Sequence, residues 1–136
     1  CFQENEFFSV KGVLRGLHFQ KDEYAQAKLI RVVTGKVLDV AVDLRKNSTT
    51  FGKWFSIELS GENKRQLYVP RGFAHGFVVL SEFAIFNYKC DNFYNKASES
   101  GIIFNDSALN IDWQLNTNEI LVSEKDLELP YLETLF

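Results

Sequence analysis

The chain has no methionine, two cysteines, two prolines and two histidines among 136 residues. Each scarcity excludes something. Cys1 and Cys90 make no spaced framework, so neither a disulfide scaffold nor a cysteine-rich metal site is expected, and a reduced, cytoplasmic setting is the default. No apolar run approaches the roughly 18–20 residues of a membrane span, and no charged-then-apolar leader is visible. Basic residues (15) are fewer than acidic ones (18), giving a net charge of −3 and a pI of about 5.4. An overall field of that sign argues against nucleic acid as a partner, although a local basic patch can still hold a small anion. With no methionine to begin it, the chain reads as a piece, or a processed form, of a longer one.

What is present is aromatic and strand-like. Thirteen phenylalanines and an aromatic content of 15% supply apolar area for one sizeable core. From Lys28 to Leu44 two β-rich runs flank "TGK", which predicts a hairpin turning at Gly35. In the second run Leu38, Val40, Val42 and Leu44 alternate with Val37, Asp39, Ala41 and Asp43, so one face is apolar and the other carries carboxylates. Further strands are expected in "GVLRGLHFQ", "KWFSIELS", "RQLYVP", "AHGFVVLS" and "FAIFNYKC", with a short one at Ile111 to Trp113. Polar turns separate them, and Asp91 to Ala108 reads as loop around a brief "GIIF". The one plausible helical turn lies in "VSEKDLELP", with Ser123 as N-cap and Asp126 three residues later. Many short strands with regular turns predict an all-β jelly-roll barrel or sandwich with a short C-terminal helical segment.

Chemistry has few places to reside. A three-ligand metal site needs a cluster such as His-x-His plus a carboxylate. His18 has no histidine two residues away and His75 lies far along the chain, so no metal is expected. Each histidine can be read as a structural residue or as a cavity group. Both sit in strand-like segments flanked by glycine and arginine, and alternate strand residues point into a small barrel, so the two imidazoles can meet in one cavity. Tyr88 and Tyr94 read either as core or rim aromatics or as phenols able to give a proton. Lys28, ordinarily a solvated charge, would stabilise an oxyanion if its strand faced that cavity.

The runs "GVLRGLHFQ", "AQAKLIRVVTGKVLDVAVDLRKNSTTFG", "LSGENKRQLYVPRGFAHGFVVLSE" and "YKCDNFYNKASESGIIFND" resemble, in order, the dTDP-4-dehydrorhamnose 3,5-epimerase family. The resemblance runs from about Phe2 to "SEKD". It implies a cupin-type jelly roll without metal or cofactor, usually a homodimer, acting in dTDP-L-rhamnose biosynthesis on a dTDP-4-keto-6-deoxy sugar. By resemblance, His18 is the base that removes protons beside the C4 ketone. Asp126 orients its imidazole, Tyr88 returns a proton from the opposite face, and Lys28 stabilises the enolate. Arg15 and His75 match substrate-contacting positions, as do Gln3, Glu4 and Asn5 at the nucleotide end, Glu99 and Lys125. Tyr94 matches an aromatic that stacks on thymine, and Asp39 lies on the inward face of its strand.

Those residue types suit the chemistry. A proton alpha to a ketone is acidic only when the enolate is stabilised, so a cation belongs at the ketone oxygen. Inversion needs a base on one face and an acid on the other. An imidazole titrating near 6.5 and a phenol near 10 are suited to those parts around neutral pH. Arg15 and His18 would let one strand segment address both a diphosphate and a sugar carbon. The chain departs from the family in lacking an N-terminal segment, so residues 1–136 are expected to form a single epimerase domain without it. Phe104 replaces a usual tryptophan, and a proline usual after the second tyrosine is missing. Alternative readings are a mono-epimerase, an epimerase of another nucleotide 4-keto sugar, and a non-catalytic sugar-nucleotide-binding cupin.

Overall fold

The structure is a computed structural model that describes residues 3–136. Cys1 and Phe2 lie outside the described residues, and with them Cys1's part in the reading of the cysteines and the start of the family resemblance. Ten strands form two sheets: β1 (Gln3–Val10), β2 (Val13–Gln20), β3 (Lys28–Thr34), β4 (Lys36–Asp43), β5 (Trp54–Ser60), β6 (Gln66–Val69), β7 (Phe73–Val79), β8 (Phe83–Cys90), β9 (Glu99–Gly101) and β10 (Leu121–Val122). The first sheet runs β1-β8-β3-β6 and the second β10-β2-β7-β4-β5, with β9 added on β2. This is the jelly roll the strand count predicts. A single helical turn, α1 (Glu124–Leu127), follows β10, and the Ser123 side chain caps it by accepting from the Asp126 amide.

The hairpin expected at Gly35 does not form. Strands β3 and β4 belong to different sheets, β3 pairing with β6 and β8 while β4 pairs with β5 and β7. Only Gly35 separates the two strands, and the tight reversals of hairpins need two loop residues. Gly35 instead takes a left-handed conformation (φ +87°) that carries the chain from one sheet to the other. The short strand expected at Ile111–Trp113 is also absent. That segment is irregular, and Trp113 is fixed by its indole N–H donating to the Phe104 carbonyl at 2.9 Å.

Strand β4 explains the layering. Both its faces are buried. Val37 and Ala41 join Ile30, Val32, Phe77 and Phe86 in a core between the sheets. Leu38, Val40 and Val42 pack on the other side with Leu14, Ile102, Phe104 and Trp113, beneath the segment that follows β9. The chain is thus three layers deep, and the carboxylate-bearing face of β4 looks between the sheets. At its end, buried Asp43 accepts hydrogen bonds from Arg45, Ser48 and Thr50, chiefly Arg45, which hold its carboxyl well below the usual range and close the loop into β5.

Candidate active site

One end of the space between the sheets stays open as a cavity of about 140 Å³, lined by Phe7, Arg15, His18, Lys28, His75 and Tyr88 among others. Five elements supply its walls because inward positions alternate along each strand. On β8 these are Ala84, Phe86, Tyr88 and Cys90. On β1 they are Gln3, Asn5, Phe7 and Ser9, and Asn5 is the cross-strand partner of Tyr88. Strand β2 breaks the alternation. Arg15 pairs with Phe77 and His18 with His75, three residues on one strand against two on the other. That β-bulge turns residues spaced by three, which a regular strand would send to opposite faces, toward one cavity.

Asp126 holds the bulge. One of its oxygens accepts from the Gly16 amide at 3.0 Å and the other lies 2.7 Å from His18 Nε2, leaving Nδ1 as the imidazole nitrogen free for exchange. Burial pushes the Asp126 carboxyl up, but the His18 and Gly16 hydrogen bonds and the charges of His18 and Lys125 outweigh it, so its pKa falls below the ordinary value. His18 itself is 34% exposed at the cavity mouth. Tyr88 stands on the opposite sheet, stacked on Phe7 with ring centroids 5.8 Å apart. Burial, with the charges of Cys90 and Glu99, raises its phenol pKa against the opposing pull of Arg15. Lys28 Nζ lies 5.7 Å from the Tyr88 ring centroid, and burial pulls the ammonium below the usual lysine value although Cys90, Asp39 and Glu99 oppose it.

The remaining residues fall into three groups. His75 is buried and is the cross-strand partner of His18, its Nε2 hydrogen-bonded to the wholly buried Asp39. At the rim, Lys125 donates to Glu99 at 2.8 Å, and Tyr94, 46% exposed, also hydrogen-bonds Glu99. These bonds outweigh the effect of burial and leave the Glu99 carboxyl below its ordinary value. A groove of about 490 Å³ continues from Arg15 and His18 along Glu99, Ser123 and Lys125. Gln3 reaches the Tyr94 amide with its side-chain oxygen at 3.4 Å. Glu4 is not gathered with the others. Its position on β1 directs its side chain to the outer face of the sheet, where it meets Asn87 at 3.3 Å and Lys89 at 3.9 Å.

Phe7 went unmarked in the sequence, although it supports Tyr88 and carries the Arg15 guanidinium 5.4 Å from its ring centroid. The signal for it was the alternation of Gln3, Asn5, Phe7 and Ser9. Among the described residues no three His, Cys, Asp or Glu side chains group as a metal would require.

A jelly roll with an imidazole–carboxylate pair, a phenol and a lysine around one small cavity falls in the class of cupin-type proteins equipped for proton transfer. Comparison with known proteins narrows this. A family model described as dTDP-4-dehydrorhamnose 3,5-epimerase matches residues 1–134, and the chain belongs to that family. It is 57% identical over 125 residues to the dTDP-4-dehydrorhamnose 3,5-epimerase of Shigella flexneri, an alignment covering 92% of this chain and 68% of that protein. The crystal structure of the Elizabethkingia anophelis dTDP-4-dehydrorhamnose 3,5-epimerase superposes with a TM-score of 0.96 at 61% identity, covering 97% of this chain and 72% of that one. A Legionella pneumophila dTDP-6-deoxy-D-glucose-3,5-epimerase, solved with dTDP-4-keto-L-rhamnose, gives 0.94 at 49% identity, covering 98% of this chain and 70% of that one.

Proposed function

We propose that the protein inverts C3 and C5 of dTDP-4-dehydro-6-deoxy-D-glucose to give dTDP-4-dehydro-L-rhamnose. The observation that carries this reading is that His18 with Asp126, Tyr88 and Lys28 share one cavity, imidazole and phenol coming from opposite sheets. With the sugar ring between them, His18 takes the proton beside the C4 ketone at Nδ1. The electron pair moves to the ketone oxygen, where the Lys28 ammonium stabilises the enolate. Tyr88 then gives its phenolic proton to the other face of the same carbon, inverting it. Asp126 keeps His18 oriented and supports the imidazolium that forms. The sequence repeats at the second carbon on the other side of the ketone.

Arg15, with its guanidinium at the junction of cavity and groove, serves the diphosphate. Tyr94, exposed at the rim, serves as the stacking surface for thymine, with Gln3, Asn5, Glu99 and Lys125 around it, and the Glu4 contact reduces to its backbone. We also infer a homodimer, supported by the apolar outer face of the first sheet. The buried Cys90 thiol fits a reducing cytoplasm. No helix among the described residues is long and apolar enough to cross a membrane.

The test is incubation with the 4-keto sugar in deuterated water. Deuterium enters both C3 and C5 of the product, and His18→Asn stops entry at both. Deuterium at one carbon would make the protein a mono-epimerase, and deuterium at neither would end the epimerase reading.

A further inference from the structure

Once His18 has taken a proton, the enolate carbon has two ways to recover one. If the new C–H bond forms as the N–H bond of the His18 imidazolium breaks, the proton returns to the face it left and the starting sugar is regenerated. If it forms as the O–H bond of Tyr88 breaks, the carbon is inverted and a phenolate remains. Where the phenol stands therefore decides between return and inversion.

The hydroxyl is not what fixes that position. Among the described residues Tyr88 makes no side-chain hydrogen bond, which leaves its O–H free for the sugar. Its ring is held instead by Phe7, stacked with centroids 5.8 Å apart and planes 27° apart, by Phe86, tilted by 59° at 5.9 Å, and by the Lys28 ammonium 5.7 Å from its centroid. Phe86 is 2% exposed and stacks on Phe77 at 4.4 Å, so it belongs to the core, and Lys28 serves the ketone oxygen. Phe7 is half-buried, lies on the edge strand β1 and walls the cavity.

Register and charge both fix the Phe7 ring. It is the cross-strand partner of Phe86, which puts it on the diagonal to Tyr88, within reach of an aromatic side chain. On the cavity side the Arg15 guanidinium lies 5.4 Å from its centroid. The Arg15 side chain makes no ion pair or hydrogen bond among the described residues, so ring and cation steady one another. An aliphatic residue would fill the same wall. It would offer neither a stacking face to the phenol nor a π face to the cation.

We propose that Phe7 is a positioning residue that holds Tyr88 where it protonates the enolate on the face opposite His18, and so sets the ratio of inversion to return. This rests on the epimerase reading above. Phe7 gives and takes no proton; it acts through the phenol.

The experiment measures initial rates in deuterated water for wild type, Phe7→Leu and Phe7→Tyr. Label is followed in the inverted product and in sugar of unchanged configuration. His18 is 34% exposed at the cavity mouth, so its proton exchanges with solvent and a return leaves deuterium in uninverted sugar. Phe7→Leu raises the ratio of labelled uninverted sugar to inverted product by on the order of tenfold. Phe7→Tyr, which keeps the ring, stays near the wild-type ratio. Both rates come from the same active molecules, so a variant that folds less well lowers them together and leaves the ratio readable. The proposal is overturned if Phe7→Leu keeps the wild-type ratio, or if Phe7→Tyr raises it as far as Phe7→Leu does. Either result, with a wild type that inverts the sugar, leaves the epimerase reading standing. A wild type that neither labels nor inverts the sugar sinks that reading, and the role of Phe7 with it.

Discussion

Lys28 and Tyr88 are displaced in opposite directions by the same burial, and this decides which of them limits the reaction in alkali. The ammonium is held below the ordinary 10.5 and the phenol above the ordinary 10.0. Lysine is active as the charged, protonated form, so its contribution is complete at low pH and lost as pH rises through its lowered pKa. The kcat profile therefore falls on its alkaline side before the ordinary lysine value is reached, and Lys28 sets that fall. Lys28→Met lowers kcat by about 10²–10³-fold and flattens the profile in that window. Tyr88→Phe lowers kcat comparably yet leaves the shape of the remaining profile in place. A Lys28→Met enzyme that kept the same alkaline fall would transfer the limit to another group. At this scale the sequence was most legible where a family resemblance carried it. His18 and Asp126 are 108 positions apart, and no periodicity relates them. Asp39 could be placed on an inward face by alternation alone, but its bond to His75 depends on which strands become neighbours. For Glu4 strand parity adds what a motif match leaves open, turning its side chain to the outer face of the sheet while its neighbours face the cavity.

Among the elements, β2 departs most from a regular strand, and the departure is what makes the site. Its bulge lies where the backbones of β2 and β7 come very close. A Cβ on Gly76 would stand 2.7 Å from the Arg15 carbonyl oxygen and 3.1 Å from Leu17 Cδ2, and one on Gly16 would stand 2.8 Å from Gly76 Cα. Gly16 also holds φ at +131°, which a side chain would resist. The two glycines let β2 and β7, neighbours in the second sheet, keep contact across the irregularity. Gly76→Ala must separate them by several tenths of an ångström, which costs about 1–3 kcal/mol of stability as overpacking. The larger effect falls on catalysis, since His18 and Arg15 move with the bulge, and kcat is expected to drop on the order of 10²-fold. Denaturant unfolding read beside kcat checks this, and a variant destabilised with unchanged kcat would mean that the bulge is not what positions the imidazole. Neither this bulge nor the crossover at Gly35 was readable beforehand. Alternation and turn residues mark where strands begin and end, whereas pairing is decided by contacts between segments far apart in sequence.

The described residues bury apolar surface twice, once between the sheets and once beneath the segment after β9, and among them nothing covers the outer face of the first sheet. The second sheet has its outer side coated by Ile102, Phe104, Leu109 and Trp113. The first sheet has no such coat among the described residues. Phe8 and Tyr68 are each 63% exposed there, and Val10, Leu29, Val33 and Phe83 are exposed with them, all on β1, β3, β6 and β8. Phe8 and Phe83 stack on one another with centroids 5.5 Å apart. Contiguous apolar surface of this kind is uncommon on a soluble monomer and usually marks an interface. A second copy meeting this one about a two-fold axis would match like with like, the arrangement most homodimers use. The inferred dimer therefore packs through this face and leaves each cavity mouth, at Arg15 and His18, open. Light scattering after gel filtration gives twice the chain mass for the wild type. Phe8→Glu sets like charges against each other across the axis and gives the chain mass, with the His18–Asp126 pair undisturbed because Phe8 points away from it. A wild type that runs as a monomer, or a Phe8→Glu variant that stays dimeric, would move the interface off this sheet.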